Sequence, residues 1–107
     1  MLKSLINEFE SERDQAVLID FSIDGLLDPV SEIDTLETIL NRTLGSAGES
    51  DGHEIGGGEG TIFLYGADAE KIFARVESVL KSNPLCKNAR VTVRKGGPGS
   101  PERTVQL

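Results

Sequence analysis

A chain of 107 residues, of which 37% are hydrophobic, is long enough to form one domain around one core. It contains one cysteine, so no disulfide can form within it, and no apolar run approaches the roughly 20 residues that span a bilayer. Its net charge of −7 argues against nucleic acid as a partner, because duplex binding relies on neutralising phosphates. The charged N-terminal segment lacks the apolar centre of a signal peptide, and together these features predict a cytoplasmic protein that is not bound to a membrane.

The first half of the chain is predicted to contain two helices and one strand. Residues 1–14 show an amphipathic helical pattern, which indicates a peripheral helix that lies on the core or docks on a second chain. Residues 16–24, AVLIDFSID, alternate apolar and polar side chains and form the first predicted strand. A helix is predicted to begin at Pro29, with Asp28 as its N-cap, and to end at Gly45.

The second half is predicted to contain one helix and up to four strands. Residues 49–56 are polar with mild alternation and form a weak strand, whereas the run TIFLYG at 61–66 is a strong one. A helix follows over residues 67–83 and is stopped by Pro84. The last predicted strands are ARVTVRK, residues 89–95, and RTVQL, residues 103–107.

This order of elements predicts the fold class. After the N-terminal helix, the chain runs strand, helix, strand, strand, helix, strand, with one further short strand. That order is typical of the α+β ferredoxin-like split βαβ sandwich, in which two helices cover one face of an antiparallel sheet. We therefore expect residues 1–107 to form a single α+β domain.

The glycine-rich stretch at residues 51–66, DGHEIGGGEGTIFLYG, has two interpretations. A phosphate-binding loop needs a helix directly after the glycines, because the helix N-terminus faces the phosphate. Here the glycines are followed by the strand-like TIFLY, and the residue directly before Thr61 is a glycine rather than the lysine of a phosphate-binding loop. The pattern therefore predicts the turn of a β-hairpin.

Few residues in the chain suggest chemistry. His53 is the only histidine, and a metal site would need further ligands that only carboxylates could supply, so we predict no metal, no cofactor and no catalytic residue. Cys86 has no second cysteine and no histidine beside it in the sequence, which favours a partly buried structural role. If the protein binds a small ligand, the candidates are His53, Tyr65 and Arg94, because all three lie on predicted strands.

The distribution of charge suggests a partner. Residues 1–60 carry fourteen acids and three bases, whereas residues 61–107 carry four acids and eight bases. Such asymmetry can steer a charged partner, although acids also keep small proteins in solution. The acids that we expect to form a partner-binding surface are Asp28, Glu32, Asp34, Glu37, Glu49, Asp51 and Glu54. The partner would be a protein with a basic surface, or a second copy of the chain.

Residues 48–107 resemble a group of small uncharacterised bacterial proteins. The resemblance rests on Gly52, His53, Glu54, Gly57, the run TIFLYGADAEKIF, Pro84 and the run RKGGPGSPERTVQL. It implies a ferredoxin-like single domain. It also implies an immunity-type role, since some small acidic bacterial proteins neutralise toxins, and it implies no catalytic residue.

The sequence thus supports two hypotheses. In the first, the protein is a non-enzymatic binding or assembly module that uses its acidic surface. In the second, it is a ligand-binding or enzymatic protein of the same fold, with a pocket near His53.

Overall fold

A computed structural model describes residues 15–107, which form an α+β fold with a five-stranded antiparallel sheet and two helices. The strands are β1 (Gln15–Ser22), β2 (Glu49–Gly56), β3 (Glu59–Gly66), β4 (Arg90–Arg94) and β5 (Glu102–Gln106). The helices are α1 (Pro29–Leu44) and α2 (Ala69–Ser82), and the turns Gly45–Ala47 and Pro84–Cys86 are short 3₁₀ segments. The helix predicted over residues 1–14 lies outside the described residues.

The sheet has the strand order β2-β3-β1-β4-β5, and every neighbouring pair is antiparallel. The register places Ile19 of β1 opposite Ile62 of β3 on one side and Val91 of β4 on the other. The most apolar strands therefore occupy the centre of the sheet, where both neighbours cover them. The polar strands β2 and β5 form its two edges.

One apolar core joins the sheet to both helices. The sheet contributes Val17, Ile19, Phe21, Ile62, Leu64, Val91 and Val93. The helices contribute Ile33, Leu36, Leu40, Leu44, Ala69, Ile72, Phe73, Val76 and Leu80. Because these side chains form a single cluster, both helices cover the same face of the sheet. No polar or charged side chain among residues 15–107 is fully buried.

Both helices have an aspartate N-cap, of which the sequence predicts Asp28. Asp28 accepts a hydrogen bond from the backbone N–H of Ser31 at 3.2 Å, and Asp68 accepts one from Lys71 at the same distance. These bonds satisfy donors that the first turn of a helix leaves unpaired. Neither α1 nor α2 is long and apolar enough to cross a membrane.

The glycine-rich stretch forms a tight hairpin turn between β2 and β3. Gly57 and Gly58 are the two turn residues, with φ angles of +61° and +79°. Two consecutive positive φ angles strongly favour glycine and match the right-handed twist of the flanking strands. The carbonyl of Gly58 also accepts a hydrogen bond from Ile23 at 3.0 Å. The hairpin prediction is confirmed, because a strand rather than a helix follows the glycines.

Candidate functional site

The junction between α1 and β2 is polar rather than apolar. In α1, Asp34, Glu37 and Asn41 follow one another at intervals of three and four residues, so they share one strip of the helix surface. Ser50 and His53 of β2 contact this strip. The edge strand is therefore attached to α1 through hydrogen bonds, beside the apolar core.

Glu37 is the centre of this junction. One of its carboxylate oxygens, Oε2, accepts a hydrogen bond from Ser50 Oγ at 2.5 Å, and the other, Oε1, lies 2.6 Å from His53 Nδ1. Asn41 Oδ1 accepts a third bond, from the backbone N–H of Ser50 at 2.8 Å. The side chains of His53 and Glu37 are only 21% and 12% exposed, so water competes weakly for these bonds.

A bulge in β2 allows Ser50 and His53 to face α1 together. Ser50 lies opposite Leu64, and His53 lies opposite Ile62, so β2 has one more residue than β3 between these two pairs. Gly52 within this segment has a φ angle of +102°, which glycine adopts without strain. Residues that are three positions apart thereby reach the same face of the sheet.

The same junction brings three metal-ligating side chains together. Ligand atoms of Asp34, Glu37 and His53 all lie within 4.8 Å of one another. Among residues 15–107, neither Asp34 nor Glu37 forms an ion pair with a lysine or arginine. The sequence predicts no metal site, because the carboxylates of α1 and the histidine of β2 are distant along the chain and only the fold brings them together.

The predicted ligand-binding residues are brought together only in part. His53 and Tyr65 both line an open groove of about 250 Å³, together with Asp51, Glu54 and Phe63. Tyr65 also lines a neighbouring groove of about 530 Å³ at the end of α1. Arg94 lies two strands away from Tyr65 in the same row of the sheet, and its Nε donates to the carbonyl of Gly96 at 2.8 Å.

The expected partner-binding acids belong to α1, its N-cap and the neighbouring strand β2, and all except Glu37 are exposed. Asp28, Glu32, Asp34, Glu49, Asp51 and Glu54 are exposed, on α1, its N-cap and β2. The pattern of α1 predicts that Glu37 faces away from the core, but its carboxylate is turned toward β2. The polar inward residues of β2 are the reason, because they offer hydrogen-bond donors to it.

The sheet order separates the charges of the protein in space. Residues 28–59, which include α1 and β2, carry eight acids and one base, whereas residues 69–107 carry three acids and eight bases. Since β2 and β5 are opposite edges of the sheet, the acidic segment reaches one edge and the segment with the excess of bases reaches the other, the basic edge, where β5 itself carries one acid and one base. This separation in space follows from the strand order of the sheet, and the order of charges along the sequence alone does not predict it.

The exposed apolar side chains belong to the same part of the chain as the acids. The large hydrophobic residues that are exposed among residues 15–107 are Leu27, Val30, Ile39 and Ile55. All of them belong to α1, the loop before it or β2. A surface that combines exposed apolar residues with surrounding charge is typical of a protein-binding site.

Cys86 and Arg103 have structural roles. Cys86 is 1% exposed, and burial raises the pKa of its thiol to about 11, so it is not an activated nucleophile. Arg103 forms two hydrogen bonds to Glu70, at 2.7 and 2.8 Å, and its guanidinium lies 5.5 Å from the ring centre of Phe73. The hydrogen bond from Arg103 also lowers the pKa of Glu70.

Comparison of the chain with protein-family models, with curated proteins and with solved structures finds no match. The resemblance of residues 48–107 to small bacterial proteins stays a prediction. The function is therefore inferred from the arrangement of side chains described above.

Proposed function

We propose that this protein is a non-enzymatic binding module whose acidic edge, formed by α1 and β2, binds a protein with a basic surface. The observation that carries the proposal is the position of the exposed apolar residues. Val30, Ile39 and Ile55 are 49%, 37% and 41% exposed, and they belong to α1 and β2, the two elements that carry these acids. Apolar contacts contribute affinity, and the surrounding acids raise the association rate and select a basic partner.

The fold has a more specific interpretation than its α+β class. We interpret it as a ferredoxin-like split βαβ sandwich, because the order β2-β3-β1-β4 and the alternation of strands and helices agree with that arrangement. In this interpretation β5 is an addition that extends the basic edge. An immunity-type protein, which would act in the cytoplasm on a basic toxin, is the narrowest form of the proposal.

Self-association is a second candidate, which the basic opposite edge favours. The segment from α2 to β5 carries five more bases than acids, so the basic edge of one copy is complementary to the acidic edge of another.

Binding of a small ligand at the grooves beside Tyr65 is a third candidate function. The position of Tyr65 between two open grooves favours it.

The experiment that tests the proposal compares two matched charge reversals. Glu54 lies on the acidic edge strand β2 and Glu102 on the basic edge strand β5, and both are exposed. Proteins captured from the host by the tagged chain at low salt are identified, and their affinities are measured for the wild-type, Glu54→Lys, Glu102→Lys and Ile55→Ser chains. The oligomeric state of the chain alone is measured by light scattering at low and high salt.

We expect one basic protein whose affinity falls about tenfold in Glu54→Lys and in Ile55→Ser, and changes less than about twofold in Glu102→Lys. Equal effects of the two charge reversals would refute the acidic edge as the binding surface. A salt-sensitive dimer or larger oligomer without a foreign partner would favour self-association instead.

A further inference from the structure

We propose that Asp34, Glu37 and His53 form a binding site for a first-row divalent cation such as Zn²⁺. This inference goes beyond the proposed protein-binding role and does not depend on it. The site would use one imidazole nitrogen and two carboxylate oxygens, whose candidate ligand atoms lie within 4.8 Å of one another.

The two elements hold the three side chains in a suitable arrangement. Asp34 and Glu37 are three residues apart in α1, so their carboxylates project from the same side of the helix. His53 approaches them from the bulged strand β2, with Nδ1 directed at Glu37. Ligands that come from two separate elements distinguish this cluster from a run of exposed acids on one helix.

The surroundings of Glu37 also resemble those of a metal ligand. Ser50 Oγ donates to Glu37 Oε2 at 2.5 Å, which leaves Oε1 directed at His53 Nδ1. Hydrogen bonds of this kind orient carboxylate ligands in metal sites. The two acids carry two negative charges that no lysine or arginine of residues 15–107 neutralises through an ion pair. A divalent cation would neutralise both.

The donor set indicates the class of metal. Ca²⁺ takes six to eight oxygen ligands, and Mg²⁺ retains most of its waters, so neither favours a site with an imidazole. Zn²⁺ accepts one histidine with carboxylates and completes its coordination with water. Bonds of about 2.0–2.1 Å separate the ligands of tetrahedral zinc by roughly 3.3 Å. His53 Nδ1 and Glu37 Oε1, now 2.6 Å apart, would move apart by less than about 1 Å.

Asp34 is the residue that separates a metal site from a purely structural hydrogen bond. Among the described residues, its carboxylate makes no hydrogen bond or ion pair, whereas Glu37 and His53 bond to each other. If the cluster is only structural, any binding of metal to the protein is unchanged by the Asp34→Asn substitution. If it is a metal site, the same substitution removes a ligand and leaves the hydrogen bonds intact.

The test is calorimetric titration of the untagged full chain with Zn²⁺, and separately with Mg²⁺, at neutral pH. The variants are Asp34→Asn, His53→Gln and, as a matched control, Asp51→Asn, which removes an exposed acid of β2 outside the cluster. Because His53 is the only histidine, its ring protons are monitored by NMR without assignment of other imidazoles.

We expect one equivalent of Zn²⁺ to bind and to shift the His53 ring signals, while Mg²⁺ leaves them unchanged. Removal of an outer partner of a metal ligand already weakens binding by about 10–100-fold, so Asp34→Asn and His53→Gln should each weaken it by at least about tenfold. Asp51→Asn should bind as the wild type does. The absence of saturable Zn²⁺ binding, or binding that survives unchanged in Asp34→Asn, would overturn the proposal.

Discussion

Replacing Glu37 with alanine should weaken the attachment of β2 to α1. Glu37 accepts bonds from Ser50 and His53 at 2.5 and 2.6 Å, and both are as short as, or slightly shorter than, charge-assisted hydrogen bonds of their kind. A hydrogen bond to a charged group contributes about 1.5–3 kcal/mol, and removal of the acceptor leaves its donors unpaired in a partly buried place.

Two effects make the expected loss of stability smaller than the sum of the contributions of the two hydrogen bonds. The side chains of His53 and Glu37 are 21% and 12% exposed, so water can reach part of the site after the substitution. Alanine also has a helix propensity that is better by a few tenths of a kcal/mol. We therefore expect Glu37→Ala to lower the free energy of unfolding by about 2–3 kcal/mol, a substantial part of the ~5–15 kcal/mol typical of a domain.

Urea unfolding with EDTA present, which removes any contribution of bound metal, measures this loss. With a slope of about 2 kcal/mol per M, the midpoint should fall by about 1 M. Glu54→Ala is the matched control, because Glu54 is exposed on β2, opposite Thr61 rather than α1, and should change stability by less than about 0.5 kcal/mol.

A double-mutant cycle tests whether the bond between Glu37 and His53 is responsible for the loss of stability. If Glu37 and His53 interact, the stability losses of Glu37→Ala and His53→Ala should fail to add in the double variant, with a coupling of about 1–3 kcal/mol. A loss in Glu37→Ala no larger than that in Glu54→Ala, or additive losses in the cycle, would show that this contact does not hold β2 in place.

Two further predictions concern the core. The pKa of the Cys86 thiol is raised from 9.0 to about 11 by burial, so its neutral form stabilises the fold fully below about pH 9, and this contribution is lost as the pH rises toward 11. Urea midpoints should therefore fall more steeply above about pH 9 in the wild type than in Cys86→Ala, and equal slopes would contradict the shift. At Gly60, an added Cβ would lie 2.8 Å from Phe21 Cε2, so Gly60→Ala should cost about 1–3 kcal/mol in thermal unfolding. Gly56→Ala, where nothing lies within 4 Å of the new Cβ, is its control, and an equal effect would refute the steric argument.

Much of the fold follows from local patterns in the sequence. The alternation in β1, the N-cap at Asp28 and the paired turn glycines each depend on residues within a few positions of one another. The alternation in a strand is a strong signal, because a shift of the pairing register by one residue would turn every apolar side chain away from the core. The predicted α+β class, with an antiparallel sheet and two helices, is confirmed for residues 15–107.

The candidate site was only partly predictable, because its contacts are not local. The sequence singled out His53 and the acids of α1, but Glu37 and His53 are sixteen residues apart and meet through hydrogen bonds rather than an apolar pattern. The bulge at Gly52 also changes which residues of β2 face the helix. The spacing of Asp34, Glu37 and Asn41 was the one available signal, since it marks a polar strip beside the apolar stripe of α1.

The weakness of β2 as a predicted strand has a physical cause that also points to its role. A strand that is held by apolar contacts alone would carry alternating hydrophobic residues, as β1 and β3 do. At Ser50 and His53 the inward side chains of β2 are polar, and they are satisfied by Glu37 and Asn41 of α1. Local departures from the expected pattern concentrate at functional sites, because stability there is given up for another property. The same strand lies at the acidic edge of the sheet and contributes the histidine of the proposed metal site. Hence we expect substitutions at different residues of β2 to affect metal binding, partner binding and local stability separately.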